Sequence, residues 1–285
     1  MIVDYSVIRP SVAVLKTAGI TAVGRYIGWD SEPGFRSIGK NLTKAEAGQL
    51  TDAGIAVFVS FEYAADAVTK GAAQGRADGQ LASRQLAAVG APRGVTVYFA
   101  VDFDISDYAP RLAETPAHAA AKLGPAAAYF TAIADLNPAY KIGIYGGYWA
   151  CSRALDAGLA AMAWQTVAWS GGQRDPRAVL YQVAGTTALG GADVDIHEST
   201  SPDFGQWPRP HVPPAGFHGE YVTAGQFTLA QLAAKLGTTP SALLRMTAVR
   251  FGTFGDQLAA YENALHSGTQ PASAPLPKGI KFWCD

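Results

Sequence analysis

The sequence contains few of the residues that build disulfide frameworks, metal sites or cofactor sites. Its 285 residues include two cysteines, Cys151 and Cys284, in different regions, which predicts free thiols and leaves a long-range disulfide as the less favoured alternative. The five histidines show no metal-ligand spacing and no CxxC motif is present, so no metal is expected. P-loop, GxSxG and dinucleotide-binding motifs are missing as well, and no cofactor is expected.

Charged side chains and long apolar runs are also scarce. Charged residues make up 16% of the chain and the net charge is −1, which argues against nucleic acid as a partner because phosphate binding needs clustered Lys and Arg. The longest charge-free apolar stretch, residues 124–134, is too short to cross a bilayer, so no membrane partner is expected. Met1 leads directly into a strand, which predicts that a secretory signal peptide is absent.

Residues 95–104 carry the strongest functional signal, because an unbroken apolar run ends there in Asp102 and Asp104. Residues i and i+2 of a strand point the same way, so both carboxylates are expected to share one face, with Phe103 on the other. Glycosidases use paired carboxylates, one to donate a proton and one as base, nucleophile or electrostatic support. The alternative is a solvated strand end or a helix N-cap, where Asp is common.

Acidic residues recur in other apolar runs, as Asp4, Glu62 and Asp195. Glu62 is either a second general acid or a partner for an arginine such as Arg25. The apolar runs together predict eight strands. They cover residues 1–6, 21–28, 56–63, 95–104, 141–147, 163–169, 178–183 and 192–197.

Helical patterns separate several of these strands, as in parallel β/α units. A capping box at Thr43 and Glu46 opens one helix, a second covers roughly residues 74–89, and a third covers 115–136 with a break at Gly124 and Pro125. The sequence therefore predicts an α/β fold, a (β/α)8 TIM-like barrel with some helices short or missing, whose acids gather at the C-terminal strand ends.

Several aromatic residues are candidates for sugar contact. Tyr63, Tyr145, Trp169 and Tyr181 fall near strand ends, where they form either a stacking platform or part of the core. Trp29 lies in a loop rich in turn-forming residues, so it is the better candidate for substrate binding.

The chain changes character after residue 201. Residues 202–218 are rich in proline and predict a semi-rigid linker between the barrel, residues 1–201, and a second domain, residues 219–285. Helical spacing in 229–236 and after Pro240, with a closing strand near 279–283, predicts a compact βααβ unit. A generic helical hairpin or a dimerisation tail is the alternative for this unit.

The barrel region resembles the glycoside-hydrolase-like TIM-barrel family of bacteria and their phages, a relative of the family 25 lysozymes. The resemblance covers nearly all of residues 1–200. It rests on RYIG at 25–28, LTKAE at 42–46, AG at 53–54, GAAQG at 71–75, LAAVG at 86–90 and YFAVDFD at 98–104. Tyr181 and Gln182 stand where the lysozymes have a Trp-Gln pair, which implies a substrate-binding role for Gln182.

The same resemblance implies roles for the acids. Asp4 matches the first-strand aspartate of the lysozymes, and Asp102 matches the first acid of their fourth-strand pair. Asp104 stands where they have the glutamate that acts as general acid, and His197 replaces an asparagine after Asp195. We therefore expect Asp104 as general acid, with Asp102, Asp4 and Asp195 shaping the charge around the anomeric carbon.

The second domain resembles LysM, a module that binds peptidoglycan and chitin. The matching segments are GQFTLAQLA at 225–233, KLGTTPSALL at 235–244 and LPKG at 276–279. Together the two resemblances imply a hydrolase of the glycan strand of bacterial peptidoglycan, a phage endolysin or virion-associated lysin that reaches the wall after lysis or in the virion. The alternatives are a non-catalytic virion or tail component that binds wall glycan beside other virion proteins, and cleavage of another glycan such as arabinogalactan.

Overall fold

The chain divides into two compact units, Met1–Arg209 and Pro210–Asp285. The computed structural model describes residues 1–29, 39–108, 114–208, 219–223, 227–236, 240, 243–244, 276 and 281–284. The predicted glycine- and turn-rich loop after Trp29 and most of the second unit lie outside these residues.

The first unit is a closed barrel of eight strands, which confirms the predicted TIM-like α/β fold. The strands are β1 Ile2–Asp4, β2 Ala22–Ile27, β3 Ala56–Phe61, β4 Thr96–Val101, β5 Lys141–Gly146, β6 Met162–Thr166, β7 Leu180–Leu189 and β8 Ala192–Ser199. Strands β1 to β7 pair in parallel in chain order. Strand β8 is antiparallel to both β7 and β1, so the expectation of eight β/α units is wrong for the last one.

The reversal of β8 has a local cause. Gly190 and Gly191 both have positive φ, and they join β7 to β8 as a hairpin without a crossover helix. Residues 167–179, all of which are described, also contain no helix. The connections after β6 and β7 therefore lack the helix that a regular (β/α)8 fold has there, which accounts for the short length of the barrel.

Among the described residues, six α-helices surround the barrel. They are α1 Val12–Thr17, α2 Lys44–Asp52, α3 Ala72–Val89, α4 Pro116–Leu123, α5 Pro125–Ala134 and α6 Tyr148–Asp156. The predicted break at Gly124 and Pro125 is confirmed, since α4 ends and α5 begins there. Thr43 caps α2 by accepting a hydrogen bond from the Glu46 amide, whereas the Glu46 side chain binds arginines instead of completing the box.

The barrel interior is filled by large aromatic side chains from β3, β4 and β6. Phe58, Tyr98 and Trp164 are almost fully buried and meet edge to face, with ring centroids 5.0 Å apart for Phe58–Trp164 and 5.7 Å apart for Tyr98–Trp164. Aromatic pairs in this arrangement stabilise a core beyond the area they bury. A pocket enclosed by the strands must therefore lie above this layer.

Residues 202–208 belong to the barrel, so the prediction that the linker starts at 202 is wrong. Trp207 exchanges backbone hydrogen bonds with Val57, and Phe204 is buried with its ring centroid 5.5 Å from that of Phe58. The Tyr98 hydroxyl donates to the Phe204 carbonyl at 2.6 Å. The apolar side chains of this segment pack at the N-terminal end of the barrel.

The second unit contains an antiparallel strand pair and one helix among its described residues. Strand β9 is Gly219–Val222, helix α7 is Leu229–Lys235 and strand β10 is Lys281–Cys284. Thr228 and Gln231 form a capping box at the start of α7. Pro240, Leu243 and Leu244 have helical backbone, as predicted for the second helix. Buried side chains of Phe227, Leu232 and Phe282 give this unit its own core.

Two further predictions concern single features. Cys151 is a free thiol on the buried side of α6, with Sγ 3.3 Å from the Gly146 carbonyl oxygen. In the part of the chain that the structure describes, no helix combines the length and apolar character that a bilayer span requires.

Candidate functional site

A polar pocket opens at the C-terminal ends of the first barrel strands, above the aromatic interior. Its volume is about 280 Å³. The lining residues are Asp4, Tyr26, Lys40, Ser60, Glu62, Asp102, Tyr145, Trp164, Gln182 and Asp195. Four carboxylates, three aromatic rings and one lysine thus converge in a space close to the lower limit for small-molecule pockets, which is roughly 300 Å³. The pocket suits one sugar ring or a comparably small polar group.

Asp4 is the most deeply buried acid of this pocket. One carboxylate oxygen accepts from the Tyr26 hydroxyl at 3.1 Å, and the other lies 2.9 Å from Nε2 of His197. Space for this carboxylate depends on Gly24 on the adjacent strand, because a Cβ there would lie 2.7 Å from the Cβ of Asp4. Asp4 is therefore fixed in position by partners on β2 and β8, as a group that supplies charge rather than one that moves.

Asp195 enters the pocket from the antiparallel strand, directly opposite Asp4 in the register. It lies in the middle of β8 and not at a strand end as predicted, because β8 runs in reverse. Gln182 Nε2 donates to Asp195 at 2.7 Å, and the Tyr145 hydroxyl donates to Gln182 Oε1 at 2.7 Å. Burial and the nearby charge of Asp4 raise the pKa of Asp195, while His197 and the Gln182 amide oppose the rise.

Glu62 lies just beyond the end of β3 and faces the only lysine that lines the pocket. Lys40 Nζ is 3.5 Å from a Glu62 carboxylate oxygen and also lies over the rings of Tyr26 and Trp29, 3.9 and 4.4 Å from their centroids. Burial raises the pKa of Glu62, Lys40 lowers it, and Asp4 raises it further. The alternative partner Arg25 is wrong, because Arg25 is buried against Glu46 with Nε 2.6 Å from its carboxylate.

Asp102 follows the last residue of β4, and its pKa is the most clearly raised among the pocket acids. Burial, and after it the charge of Glu62, raises the pKa of Asp102 to about 6, against a smaller opposing effect of Lys40. No described residue donates a hydrogen bond to its carboxylate. A half-buried carboxyl without donors and beside another acid retains its proton at mildly acidic pH.

Asp104 lies outside the pocket, so the expectation that it shares a face with Asp102 is wrong. Strand β4 ends at Val101, and Asp104 is exposed on the loop that follows. It accepts hydrogen bonds from the Ser106 hydroxyl at 2.5 Å, the Ser106 amide at 2.8 Å and the Tyr108 hydroxyl at 3.0 Å. The Ser106 hydroxyl above all holds the pKa of Asp104 below its usual value. An exposed, ionised carboxylate is unsuited to the expected role of general acid.

Of the four aromatic residues predicted to form a stacking platform, one lines the pocket. Tyr145 lines the pocket, whereas Tyr63 is buried in the core with its ring 6.2 Å from Phe61. Tyr181 alternates with Gln182 on β7 and contacts the Arg174 guanidinium at 3.9 Å outside the pocket. Trp169 is half-buried on the loop after β6, and it does not line the pocket.

Trp29 contacts the pocket only through Lys40. Its ring lies beside the Lys40 ammonium, while its backbone amide donates to the Asn41 side chain at 3.1 Å. Direct sugar contact by Trp29 therefore stays a prediction.

Sequence reasoning missed four lining residues, namely Tyr26, Lys40, Ser60 and Trp164. Strand alternation was the available signal for three of them. Tyr26 points to the same side of β2 as Gly24, and Ser60 points to the same side of β3 as Glu62. Trp164 lies on β6, which pairs with the strand that carries Gln182. Lys40 had no such signal, because it lies in a loop beyond Trp29 and is positioned by the short bridge between Tyr26 and Asn41.

A family model described as Rv2525c-like, glycoside hydrolase-like domain matches residues 13–199. The chain belongs to this family. The match begins at α1 and ends at the last residue of β8, so it covers nearly the whole barrel and none of the second unit. All the pocket residues except Asp4 fall within it.

Relatives of this Rv2525c-like chain come from two bacteria. A Bacillus subtilis protein of uncharacterised function, YbfG, is 33% identical over 150 residues, which are 51% of this chain and 20% of that protein. Rv2525c of Mycobacterium tuberculosis, named as a candidate peptidoglycan hydrolase, is 24% identical over 212 residues, which are 72% of this chain and 83% of that protein. The chain therefore spans about a fifth of the length of the Bacillus relative.

The fold of the barrel has a solved counterpart. The crystal structure of the Tat-secreted protein Rv2525c in complex with HEPES superposes with a TM-score of 0.62 at 24% identity, covering 72% of this chain and 98% of that one. At this identity the likeness supports the fold, and the function of this chain rests on its own pocket.

Proposed function

We propose that this chain hydrolyses the glycan strand of bacterial peptidoglycan. The observation that carries the proposal is the pair Asp102 and Glu62, two acids with raised pKa values in one pocket at the C-terminal end of the barrel. Acids perturbed by burial and by each other are typical of catalytic sites, and TIM-like barrels carry their catalytic residues at this end.

The two acids differ in a way that assigns their roles. Asp102 has no hydrogen-bond donor among the described residues, and its pKa of about 6 leaves it protonated in mildly acidic solution, so it is the proton donor to the glycosidic oxygen. Glu62 faces the Lys40 ammonium at 3.5 Å, which favours its ionised form. In a direct displacement Glu62 accepts the proton of the attacking water, and Asp102 regains a proton from solvent. Through a covalent intermediate Glu62 is instead the nucleophile, and the ionised Asp102 takes its proton back from the water that releases the sugar.

Asp4 and Asp195 supply negative charge around the reacting ring. Glycosidic cleavage passes through a transition state with positive charge at the anomeric carbon, which fixed carboxylates stabilise. Asp4 is held by Tyr26 and His197, and Asp195 by Gln182, so neither has to reorganise during the reaction. Fixed charge of this kind acts strongly in a site partly shielded from water.

The choice of peptidoglycan rests on the family and on the size of the pocket. The chain is a member of a glycoside-hydrolase-like family in which Rv2525c is named as a candidate peptidoglycan hydrolase. A polar pocket of about 280 Å³ accommodates one sugar ring at a time and leaves the rest of a polymer outside the mouth.

The test is release of reducing ends from purified peptidoglycan by the full chain. We expect activity in the wild type, loss in Asp102→Asn, and wild-type activity in the control Asp135→Asn, whose exposed carboxylate follows α5 at the other end of the barrel. No activity in the wild type contradicts the hydrolase, and equal activity of wild type and Asp102→Asn contradicts Asp102 as the proton donor.

A second candidate is a barrel that binds wall glycan without cleaving it. The observation that favours this candidate is Asp104, because the acid expected to donate the proton lies outside the pocket. Sedimentation with peptidoglycan without release of reducing ends supports the binder. A phage endolysin or virion component stays a prediction within either proposal, tested by probing purified virions for the chain.

The second unit is proposed as the module that retains the chain on wall glycan. Its antiparallel pair β9–β10, the capped helix α7 and the helical backbone at Pro240 agree with the order of elements in the LysM-like resemblance. A binding module on the same chain raises the local concentration of substrate at the barrel.

A further inference from the structure

Tyr108 is an exposed aromatic residue on the loop after β4, six residues beyond Asp102. Its relative exposure is 61%, the highest among the large apolar side chains that the structure describes. The loops that follow β4, β5 and β6 all lie at the pocket end of the barrel, since these strands are parallel. Tyr108 therefore lies on a loop at the same end of the barrel as the pocket.

The exposed ring is held in place by its polar end. The Tyr108 hydroxyl donates to Asp104 at 3.0 Å, and the other oxygen of the same carboxylate accepts from the Ser106 amide and hydroxyl. Asp104 thus fixes both the turn and the side chain that ends it. These hydrogen bonds give Asp104 a structural role, although it does not line the pocket.

The rest of the loop is anchored to the barrel as well. Asp107 accepts from the Arg153 guanidinium at 2.8 and 3.0 Å, and the Arg153 side chain is almost fully buried. The ring of Tyr108 meets the buried ring of Trp149 edge to face, with centroids 5.0 Å apart. One edge of the tyrosine is packed, and most of its surface stays in water.

The backbone at Tyr108 is in a conformation that L-residues rarely adopt, with φ of 49°. Among the described non-glycine residues only Tyr108, Asn137 and Trp169 have positive φ, and both aromatic ones lie on loops at the pocket end. Residues in such conformations cost free energy, and they concentrate where function requires a particular placement. The fold thus keeps an unfavourable backbone conformation at a position where an aromatic side chain is exposed to solvent.

We propose that Tyr108 is an outer sugar-stacking subsite of the barrel mouth, and that Asp104 is the positioning residue that holds it. The inference rests on the proposed function, because the ligand is the part of the glycan chain that continues out of the pocket. The pocket holds about one ring, so a polymer must contact the rim. The C–H face of a pyranose is apolar and packs on an exposed aromatic face, as other apolar surfaces do.

The kinetic test compares soluble glycan fragments of two sugars and of eight sugars with the full chain. We expect Tyr108→Ala to raise the ratio of the eight-sugar KM to the two-sugar KM about five- to tenfold, the loss of one stacking contact. Tyr108→Trp should restore the wild-type ratio, whereas Tyr108→Leu, which is large and apolar without an aromatic face, should not. A ratio unchanged in Tyr108→Ala overturns the subsite.

Asp104→Asn separates the positioning role from the catalytic one. As a positioning residue it should raise the same KM ratio about two- to threefold with kcat changed less than twofold, because the amide keeps one acceptor oxygen in place of two. As a general acid its loss should lower kcat about 10²- to 10⁴-fold on both fragments. The second result, or an unchanged KM ratio, contradicts the inference. Asp135→Asn is the matched control.

Equilibrium binding distinguishes failure of the subsite from failure of the hydrolase. Calorimetric titration of the eight-sugar fragment into full-length Asp102→Asn, with and without Tyr108→Ala, measures contact in the absence of turnover. About five- to tenfold weaker binding of the double variant supports the subsite even when the wild type releases no reducing ends. Equal binding of the two proteins contradicts the subsite even when the wild type is active.

Discussion

Asp102 and Asp104 are two residues apart in the chain and have opposite surroundings. Asp102 lines the pocket, has no donor to its carboxylate among the described residues, and has its pKa raised by burial to about 6. Asp104 is exposed on the rim, accepts three hydrogen bonds, and has its pKa lowered chiefly by Ser106. The same side-chain chemistry therefore gives a carboxyl that keeps its proton at mildly acidic pH at one position and a fixed anion at the other.

The difference arises at the end of the strand. Strand β4 pairs with β5 only as far as Val101 and Gly146. Beyond that point the alternation of side chains is no longer imposed by the sheet, and the Asp104 carboxylate organises a turn instead. An acid-x-acid pattern thus indicates a shared face only where the strand continues through both acids.

The largest effect is expected from removing the pocket acid. Asp102→Asn should lower kcat about 10²- to 10⁴-fold because the proton donor is lost, while Asp104→Asn should change it less than twofold. The comparison is measured as release of reducing ends from peptidoglycan. A larger loss in Asp104→Asn than in Asp102→Asn would reverse the assignment of the two acids.

A smaller effect is expected from the cation beside the acids. Lys40→Met should lower kcat about tenfold, because Glu62 then loses the charge that favours its ionised form. Lys40 also lowers the pKa of Asp102, so the alkaline limb of activity, expected near pH 6 from that pKa, should move upward in the variant. The pH profile is measured with Lys141→Met as control, an exposed lysine at the start of β5. A downward shift of the limb would contradict this electrostatic account.

The elements of the barrel were predictable because their signals are local. All eight strands follow apolar runs, and α4 and α5 divide where glycine and proline predict the break. The direction of β8 was not predictable in the same way, because it depends on a hairpin whose glycines look like any loop. Residues 202–208 were assigned to a linker on composition, although Phe204 and Trp207 pack against the barrel.

The site residues that lie on strands, or that directly follow them, were predictable. Asp4, Glu62, Asp102 and Asp195 were all singled out by their positions in apolar runs, and the structure brings them to one pocket. Lys40 comes from a loop, and its position depends on the Tyr26–Asn41 bridge, which has no pattern in the sequence. His197 is drawn to Asp4 by the reversed β8, so its partner could be identified only once the strand direction was known.

The stability of the fold should also distinguish the two aspartates. The folded-state pKa of Asp102, about 6, lies above the ordinary aspartate pKa of 3.8. Its contribution to the free energy of unfolding is therefore fully present below pH 4 and is lost as the pH rises through 6. After allowance for solvent screening the loss is about 1 kcal/mol. Wild type should therefore lose more thermal midpoint than Asp102→Asn between pH 4 and 7. Parallel curves for the two proteins would show that Asp102 is not perturbed.

The smallest effect on chemistry is expected from removing the second unit. All the pocket acids lie in Met1–Arg209, so a chain ending at Arg209 should hydrolyse short soluble fragments at the rate of the full chain. Its residues 202–208 must be kept, because Trp207 pairs with Val57 and a cut at 202 would expose the base of the barrel. Sedimentation with insoluble peptidoglycan should fall at least severalfold, since the second site that adds avidity is gone. A shortened chain that sediments as well as the full one would show that the pocket and its rim supply the retention, and the second unit would then be better interpreted as an assembly element.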